Sequence, residues 1–280
     1  MTQPTVTTWN EDLWHLLFAT GHPELIAKQK RFQKQGLPPR CRLCMAPFGV
    51  LPAAGWADDH PGPSNRNPRF CSLCDHFIRA NPGGAKVMMT MVFADVRGST
   101  ALADTLGLEE YVQRINDFYR RTTTVFVETD GFMMDVVGDE VFALYPSGFS
   151  GVSDADAGVS EDELPAVRTS TAARKALGAA RRLVELSKQS AAHELTFGVS
   201  VHTGPVYIGT IRGAEEGISD VRVWGLEVNK AARMCAQSAS GEALVSAELC
   251  AAAGLSSSDL PERILELKGI SQPVSARVLT

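Results

Sequence analysis

Residues 86–95, KVMMTMVFAD, form an unbroken apolar run that ends on a carboxylate. A run of this kind reads as a central β-strand, and the segments after it take their meaning from that strand. Leu108, Tyr111, Val112, Ile115, Phe118 and Tyr119 recur at the 3.6-residue period of a long helix. TDG then turns the chain into FMMDVVGDEVFALYP, two short strands about Gly138-Asp139 with a hairpin signal. Residues 147–168 are rich in Gly, Ser, Asp and Glu and read as surface loop, and STAARKALGAARRLVELSKQ as a second amphipathic helix. Strands are expected around 195–202 and 205–211, a helix over 226–238, and late strands near 263–268 and 273–279. The order β-α-β-β-α-β is an α+β sandwich with helices on one face of an antiparallel sheet.

Two other regions precede the run. In residues 10–36, Asn10 can cap a first turn carrying Glu11 and Asp12, with Leu13, Trp14, Leu16 and Leu17 as an apolar face and Gly21 as the stop. HPELIAKQKRFQKQG restarts with Pro23 in its first turn and ends at Gly36. Residues 37–84 are rich in Pro, Gly and Cys with little periodicity, so a cross-link must organise them. CRLC (41–44) and CSLC (71–74) supply Cys41, Cys44, Cys71 and Cys74 as CxxC-x26-CxxC, a strong four-thiolate metal signal. Structural zinc is the first reading and an iron–sulfur cluster the second. Four thiolates complete a tetrahedral site, which leaves His60 and His76 ordinary polar roles. The chain thus divides into a helical segment (1–36), a four-cysteine, zinc-ribbon-like metal-binding module (37–84) and a catalytic-sized domain (85–280).

Bulk properties exclude several classes. No apolar run reaches a bilayer span, and MTQPTVTTWN is not a signal peptide, so the cytoplasm is the expected compartment. A formal charge of −5 gives no basic field for DNA or a membrane surface, and KQKRFQKQ reads as a solvated helix face.

Four motifs carry chemistry. FADVRGST (93–100) ends a strand in Asp95 and turns through Arg97, Gly98, Ser99 and Thr100 into a helix, setting a carboxylate beside backbone N–H groups suited to a metal–triphosphate. Taken alone it reads first as an ordinary N-cap. The hairpin tip places Asp139 where it can approach Asp95, which suggests a two-metal site. Glu140, next along the strand, is expected on the opposite side, facing solvent. In WGLEVNKAARM (224–234), Asn229 and Arg233 share a helix face, suited to a ribose and a phosphorane, although an N-x-x-x-R spacing taken alone reads first as a solvated face. In ELKGISQPV, Lys268 ends a strand before Gly269 and can reach a polyphosphate.

FADVRGST, VVGDEVFALY, HTGPVYIG, WGLEVNKAARM and LKGISQPV, in this order and spacing, closely resemble the class III nucleotide cyclase catalytic domain over residues 86–280. The resemblance implies a ferredoxin-like βαββαβ cyclase sandwich acting as a head-to-tail homodimer with active sites at the interface. It implies that Asp95, Asp139 and the Val96 carbonyl hold two Mg²⁺ or Mn²⁺ ions. Across the dimer, Asn229 would orient the ribose, Arg233 stabilise the pentavalent phosphorus and Lys268 hold the outer phosphates. The implied activity is that of a phosphorus–oxygen lyase, by default ATP to cAMP and pyrophosphate, signalling to a cyclic-nucleotide receptor. A cGMP-forming enzyme, a pyrimidine cyclase of anti-phage signalling, and a silent cyclase-like regulator are the other readings. The family's base-reading positions fall on Asp135 and Arg222, whose signs are exchanged relative to adenylate cyclases. An acid at the first leans toward guanylate cyclases, whereas Arg222 matches neither pattern. The pair reads equally as an ion pair that touches no base. Residues 1–84 are expected to regulate the cyclase.

Overall fold

The computed structural model describes residues 10–33, 39–48, 62–152, 158–191, 194–212, 219–256 and 259–280. The first nine residues, Gly36 and His60 lie outside them. The chain opens with α1 (Glu11–His15), a π-helical turn (Leu16–Thr20) and α2 (Pro23–Gln33), broken at Gly21, whose φ is 91°. The cysteine module contributes α3 (Ser72–Ala80). Then follow β1 (Gly84–Val96), α4 (Ser99–Thr105), α5 (Leu108–Glu128), β2 (Phe132–Val137), β3 (Glu140–Pro146) and α6 (Leu164–Lys188). The remainder is β4 (Phe197–Arg212), β5 (Ser219–Trp224), α7 (Leu226–Gln237), β6 (Ala243–Ser246), α8 (Ala247–Ala253), β7 (Glu262–Leu265) and β8 (Val274–Leu279).

The strands form one eight-stranded sheet in the order β2-β3-β1-β4-β6-β8-β7, with β5 also paired to β4. Only the β4–β6 pairing is parallel among the pairs described. β1 is the central strand its apolar run predicts. Alternation sends Val92, Ala94 and Val96 to one face and Met89, Met91 and Phe93 to the other, and all are buried. A strand buried on both faces needs two covering layers. α5, α6 and α8 cover the first face.

The second face corrects the expectation of a sheet with helices on one side. It is covered by α7, by the N-terminal helices and by the cysteine module, which share one apolar cluster with β1, β4 and β5. Trp14 stacks on Phe18, Phe18 stacks on Phe149, and Phe132 meets both phenylalanines edge-on. Trp14 Nε1 also donates to the Asn81 carbonyl at 3.0 Å. β4 is one continuous strand of sixteen residues rather than two. Its outer edge pairs with β6 over 199–201 and with β5 over 207–212, and Pro205 falls in the gap between them, where a missing N–H is tolerated.

Candidate active site and four-cysteine centre

The β1–β3 register sets Asp95 opposite Glu140 and brings the hairpin tip against the end of β1. Gly138 takes the left-handed φ of 61° that the two-residue turn needs, and the Val96 N–H donates to the Asp139 carbonyl at 3.0 Å. Asp95 and Asp139 are therefore brought together, as expected. Arg97 pairs with the Asp95 carboxylate, and Ser99 Oγ donates to Asp139. Arg97 Nη1 also reaches the Ala236 carbonyl at 2.9 Å near the end of α7, a favourable place for a cation. The Arg97 and Ser99 side chains thus hold the two carboxylates, while Gly98, with a φ of 70°, turns the chain into α4 at Ser99 and Thr100.

The acids crowd one another. Burial raises the pKa of Asp95, Arg97 opposes this, and the charge of Asp139 adds to it. Glu140 is pushed up to about 7 by burial and then by Asp95 and Asp139. This corrects its placement in solvent: the side chain is half-buried, because directly opposed residues of two strands share a face. Carboxylates crowded in this way are the oxygen donors that hard divalent cations take, so Asp95 and Asp139 fit Mg²⁺ or Mn²⁺.

α7 carries Asn229 exposed and Arg233 half-buried. Lys268 lies in a turn after β7 rather than at a strand end, because Leu267 is buried and its carbonyl accepts from the Ile270 N–H at 2.9 Å. That turn lies against Arg233: a Cβ on Gly269 would stand 3.3 Å from Arg233 Nη1. Lys268 and Arg233 are thereby neighbours. Among the described residues no hydrogen bond or ion pair joins Asn229, Arg233 or Lys268 to Asp95 or Asp139.

Asp135 and Arg222 form an ion pair. Asp135 Oδ1 is also 3.4 Å from Arg69 Nη2, and Arg69 Nη1 donates to Asp220 Oδ2 at 3.0 Å. Burial works against the Asp135 charge, but the hydrogen bonds from Arg222 and the Val136 N–H, together with the charges of Arg222 and Arg69, outweigh it and hold the carboxyl below the usual range. Asp220 was legible in principle, since it stands two residues before Arg222 and strand alternation puts both on one face. Nothing in the sequence around Arg69 signals that it reaches residues some hundred and fifty positions away.

The four thiols of Cys41, Cys44, Cys71 and Cys74 lie within 4.8 Å of one another. Cys44 Sγ and Cys71 Sγ are 3.8 Å apart, close to the roughly 3.8 Å edge of a sulfur tetrahedron whose metal bonds are about 2.3 Å. The set fits one tetrahedral thiophilic ion. Hydrogen bonds among the four thiols hold Cys71 well below the ordinary range and push Cys44 and Cys74 above it, so the crowded sulfurs share protons that a bound cation would displace.

The sequence matches the family described as the adenylate and guanylate cyclase catalytic domain over residues 85–272. An uncharacterized protein of Rhizobium meliloti (strain 1021) is 26% identical over 191 residues, 68% of this chain and 17% of that protein. The chain therefore spans only a small part of that relative's length. The solved guanylyl cyclase Cya2 shares 22% identity at a TM-score of 0.54, over 70% of this chain and 93% of that one. The adenylyl cyclase CyaB from P. aeruginosa shares 20% identity at 0.51, over 70% and 96%. These likenesses are of fold, and since one neighbour is a guanylyl and the other an adenylyl cyclase, the fold does not choose a base. The match across residues 85–272 is decisive for the family: the chain belongs to the adenylate and guanylate cyclase catalytic domains.

Proposed function

We propose that the protein is a nucleotide cyclase that converts a nucleoside triphosphate into its 3′,5′-cyclic nucleotide and pyrophosphate. The observation that carries this reading is the juxtaposition of Asp95 and Asp139 across β1 and the hairpin, with Arg97 and Ser99 holding their carboxylates. In the reaction the ribose 3′-oxygen attacks the α-phosphorus, the bond to pyrophosphate breaks, and the hydroxyl proton leaves. Two divalent ions held by Asp95, Asp139 and the Val96 carbonyl would supply Lewis acidity to the hydroxyl and to the leaving group. Arg233 would neutralise charge growing on phosphorus, Asn229 would orient the ribose, and Lys268, beside Arg233, would hold the outer phosphates. The backbone N–H groups of Gly98, Ser99 and Thr100, with Arg97, would border the phosphates.

The same reading makes the active unit a homodimer with Asn229, Arg233 and Lys268 contributed across the interface. It is supported by a run of exposed apolar side chains, Met88, Tyr207, Trp224 and Leu226, on β1, β4, β5 and the start of α7. Zinc at the four cysteines is supported by the sulfur spacing, and a cytoplasmic location by thiols that suit a reducing compartment. Among the described residues no helix is long and apolar enough to cross a membrane. Signalling through a cyclic-nucleotide receptor completes the proposal. ATP is the default substrate by resemblance alone.

Incubation with ATP, GTP, CTP and UTP in Mn²⁺, with products identified by mass spectrometry, tests it. A cyclic product is expected from at least one, and Asp95→Ala should abolish it. Mixing Asp95→Ala with Arg233→Ala chains should restore about a quarter of wild-type activity, because half of randomly paired dimers then hold one intact site. No product from any of the four would leave the silent-regulator reading in its place.

A further inference from the structure

Arg69 stands two residues before Cys71, in the loop that leads into α3. Its backbone is held at both the carbonyl and the N–H. The Arg42 N–H, next to Cys41, donates to the Arg69 carbonyl at 3.0 Å, and the Arg69 N–H donates to Asn67 Oδ1 at 3.2 Å. From that anchorage the side chain leaves the module and enters the catalytic domain. Arg69 and Arg222 together bracket both carboxylates, Arg69 touching Asp220 at 3.0 Å and Asp135 at 3.4 Å. Arg222 pairs with Asp135 and lies 3.4 Å from Asp220 through Nη2. Asn67 Nδ2 adds a contact to Asp220 at 3.4 Å.

The two signs are not equally presented. The Asp135 and Asp220 side chains are 15% and 17% exposed, whereas those of Arg69 and Arg222 are 34% and 33%. The carboxylates lie behind and are engaged by guanidinium groups, so what an approaching molecule meets first is guanidinium. Arg42, half-buried nearby, adds a third cation to the two acids. A guanidinium donates and never accepts. A base edge that meets it must therefore offer acceptors, and a forked guanidinium matches the paired O6 and N7 of guanine. Uracil offers O4 at the equivalent place, while adenine and cytosine present an amino group there, a donor facing donors.

Resting on the cyclase reading and on Asp135 and Arg222 standing at the base, we infer that Arg69 of the cysteine module is a specificity-determining residue, and that the site it completes selects nucleoside triphosphates with oxo bases, GTP foremost and UTP next, over ATP and CTP. This places a base-positioning residue outside the cyclase domain, on a loop that the four-cysteine centre holds in place.

Two measurements on the full chain test it. Titration calorimetry with the four 3′-deoxynucleoside triphosphates reads base preference without turnover, since cyclisation needs the 3′-hydroxyl. The guanine and uracil compounds should bind roughly ten- to a hundredfold more tightly than the adenine and cytosine ones. In turnover, Arg69→Ala and the gentler Arg69→Lys, which keeps charge but loses the fork, should raise KM for the preferred nucleotide about tenfold or more with little change in kcat. An unchanged melting temperature in the lysine variant separates this from a folding defect. Equal binding of all four compounds, binding of none, or a preference for adenine would overturn the inference. So would a rise in turnover of all four nucleotides in Arg69→Ala, which would make the residue an inhibitory clasp. Absence of cyclic product with oxo-base binding intact would instead strike the cyclase reading and leave the base preference standing.

Discussion

His202 is wholly buried on β4, with Nε2 2.5 Å from Glu227 Oε2 and Nδ1 3.7 Å from Glu248 Oε2, beyond hydrogen-bonding distance. Nδ1 has no hydrogen-bond partner among the described residues. Burial pushes its pKa down, the Glu227 hydrogen bond opposes this, and Lys230 adds a further downward push. A histidine whose folded pKa lies below the ordinary 6.5 is neutral in the fold while the unfolded chain takes up a proton. Its contribution to stability is thus complete above pH 6.5 and is lost as pH falls below that value. The loss is bounded by about 1.4 kcal/mol per pH unit for one proton. Raised carboxyl groups such as Glu140 act with the opposite sign over the same range, so the wild-type curve alone does not isolate the histidine. The difference between wild type and His202→Gln in urea unfolding between pH 5 and 7.5 does: it should narrow as the pH falls. A constant difference would deny His202 this role. Because Glu227 starts the helix that carries Asn229 and Arg233, the pair also ties the placement of α7 to β4.

Among elements, what the sequence revealed and what it hid follow from the range of the cause. The central strand, the long helix α5 and the Gly138-Asp139 hairpin depend on periodicity and turn chemistry, which are local, and they stand where expected. β6 and α8 were missed because ALVS and AELCAAA are too short to show a period, and α3 because its face is completed by cysteines. The unbroken β4 was missed because TGP reads as a turn until β1 is known to pair along it. The covering of the second face was hidden for another reason. Leu13, Trp14, Leu16 and Leu17 announce an apolar face, but nothing local says that it docks beside Gly148. There the approach is so close that a Cβ on Gly148 would stand 2.3 Å from the Leu17 carbonyl oxygen. Backbone cannot yield as a flexible side chain can, so Gly148→Ala should cost about 1–3 kcal/mol. It should also open the α1–α2 segment to limited proteolysis before the catalytic sheet. An unfolding midpoint unchanged from wild type would mean that the N-terminal helices are not seated as described.

At the scale of the whole molecule, the cysteine module is an architectural part of the sheet's second face. Cys41, Cys44, Met45, Phe70 and Cys71 share a buried cluster with Met89, Met91 and Phe93 of β1, the strand that ends at Asp95. The candidate active site is thus supported from two sides, by α5 and α6 on one face and by the cysteine module on the other. The module also projects Arg69 toward Asp135 and Arg222. Losing the metal proposed for the four cysteines should therefore act in two separable ways. Without a central ion, four neighbouring sulfurs have only weak hydrogen bonds to hold them, and the loop bearing Arg69 loses its anchor. Cys44→Ser removes one ligand without disturbing the divalent ions that a chelator would also strip. Elemental analysis should find about one zinc and no iron per wild-type chain, and a reduced zinc content in the variant. Calorimetry should show the melting temperature lowered by at least about 5 °C. Nucleotide preference should drop toward that of Arg69→Ala, while cyclic product still forms, because Asp95, Asp139, Asn229 and Arg233 are untouched. A variant that has lost its metal yet melts and discriminates like wild type would show that the apolar cluster alone holds the module, and that the ion contributes nothing to the base site.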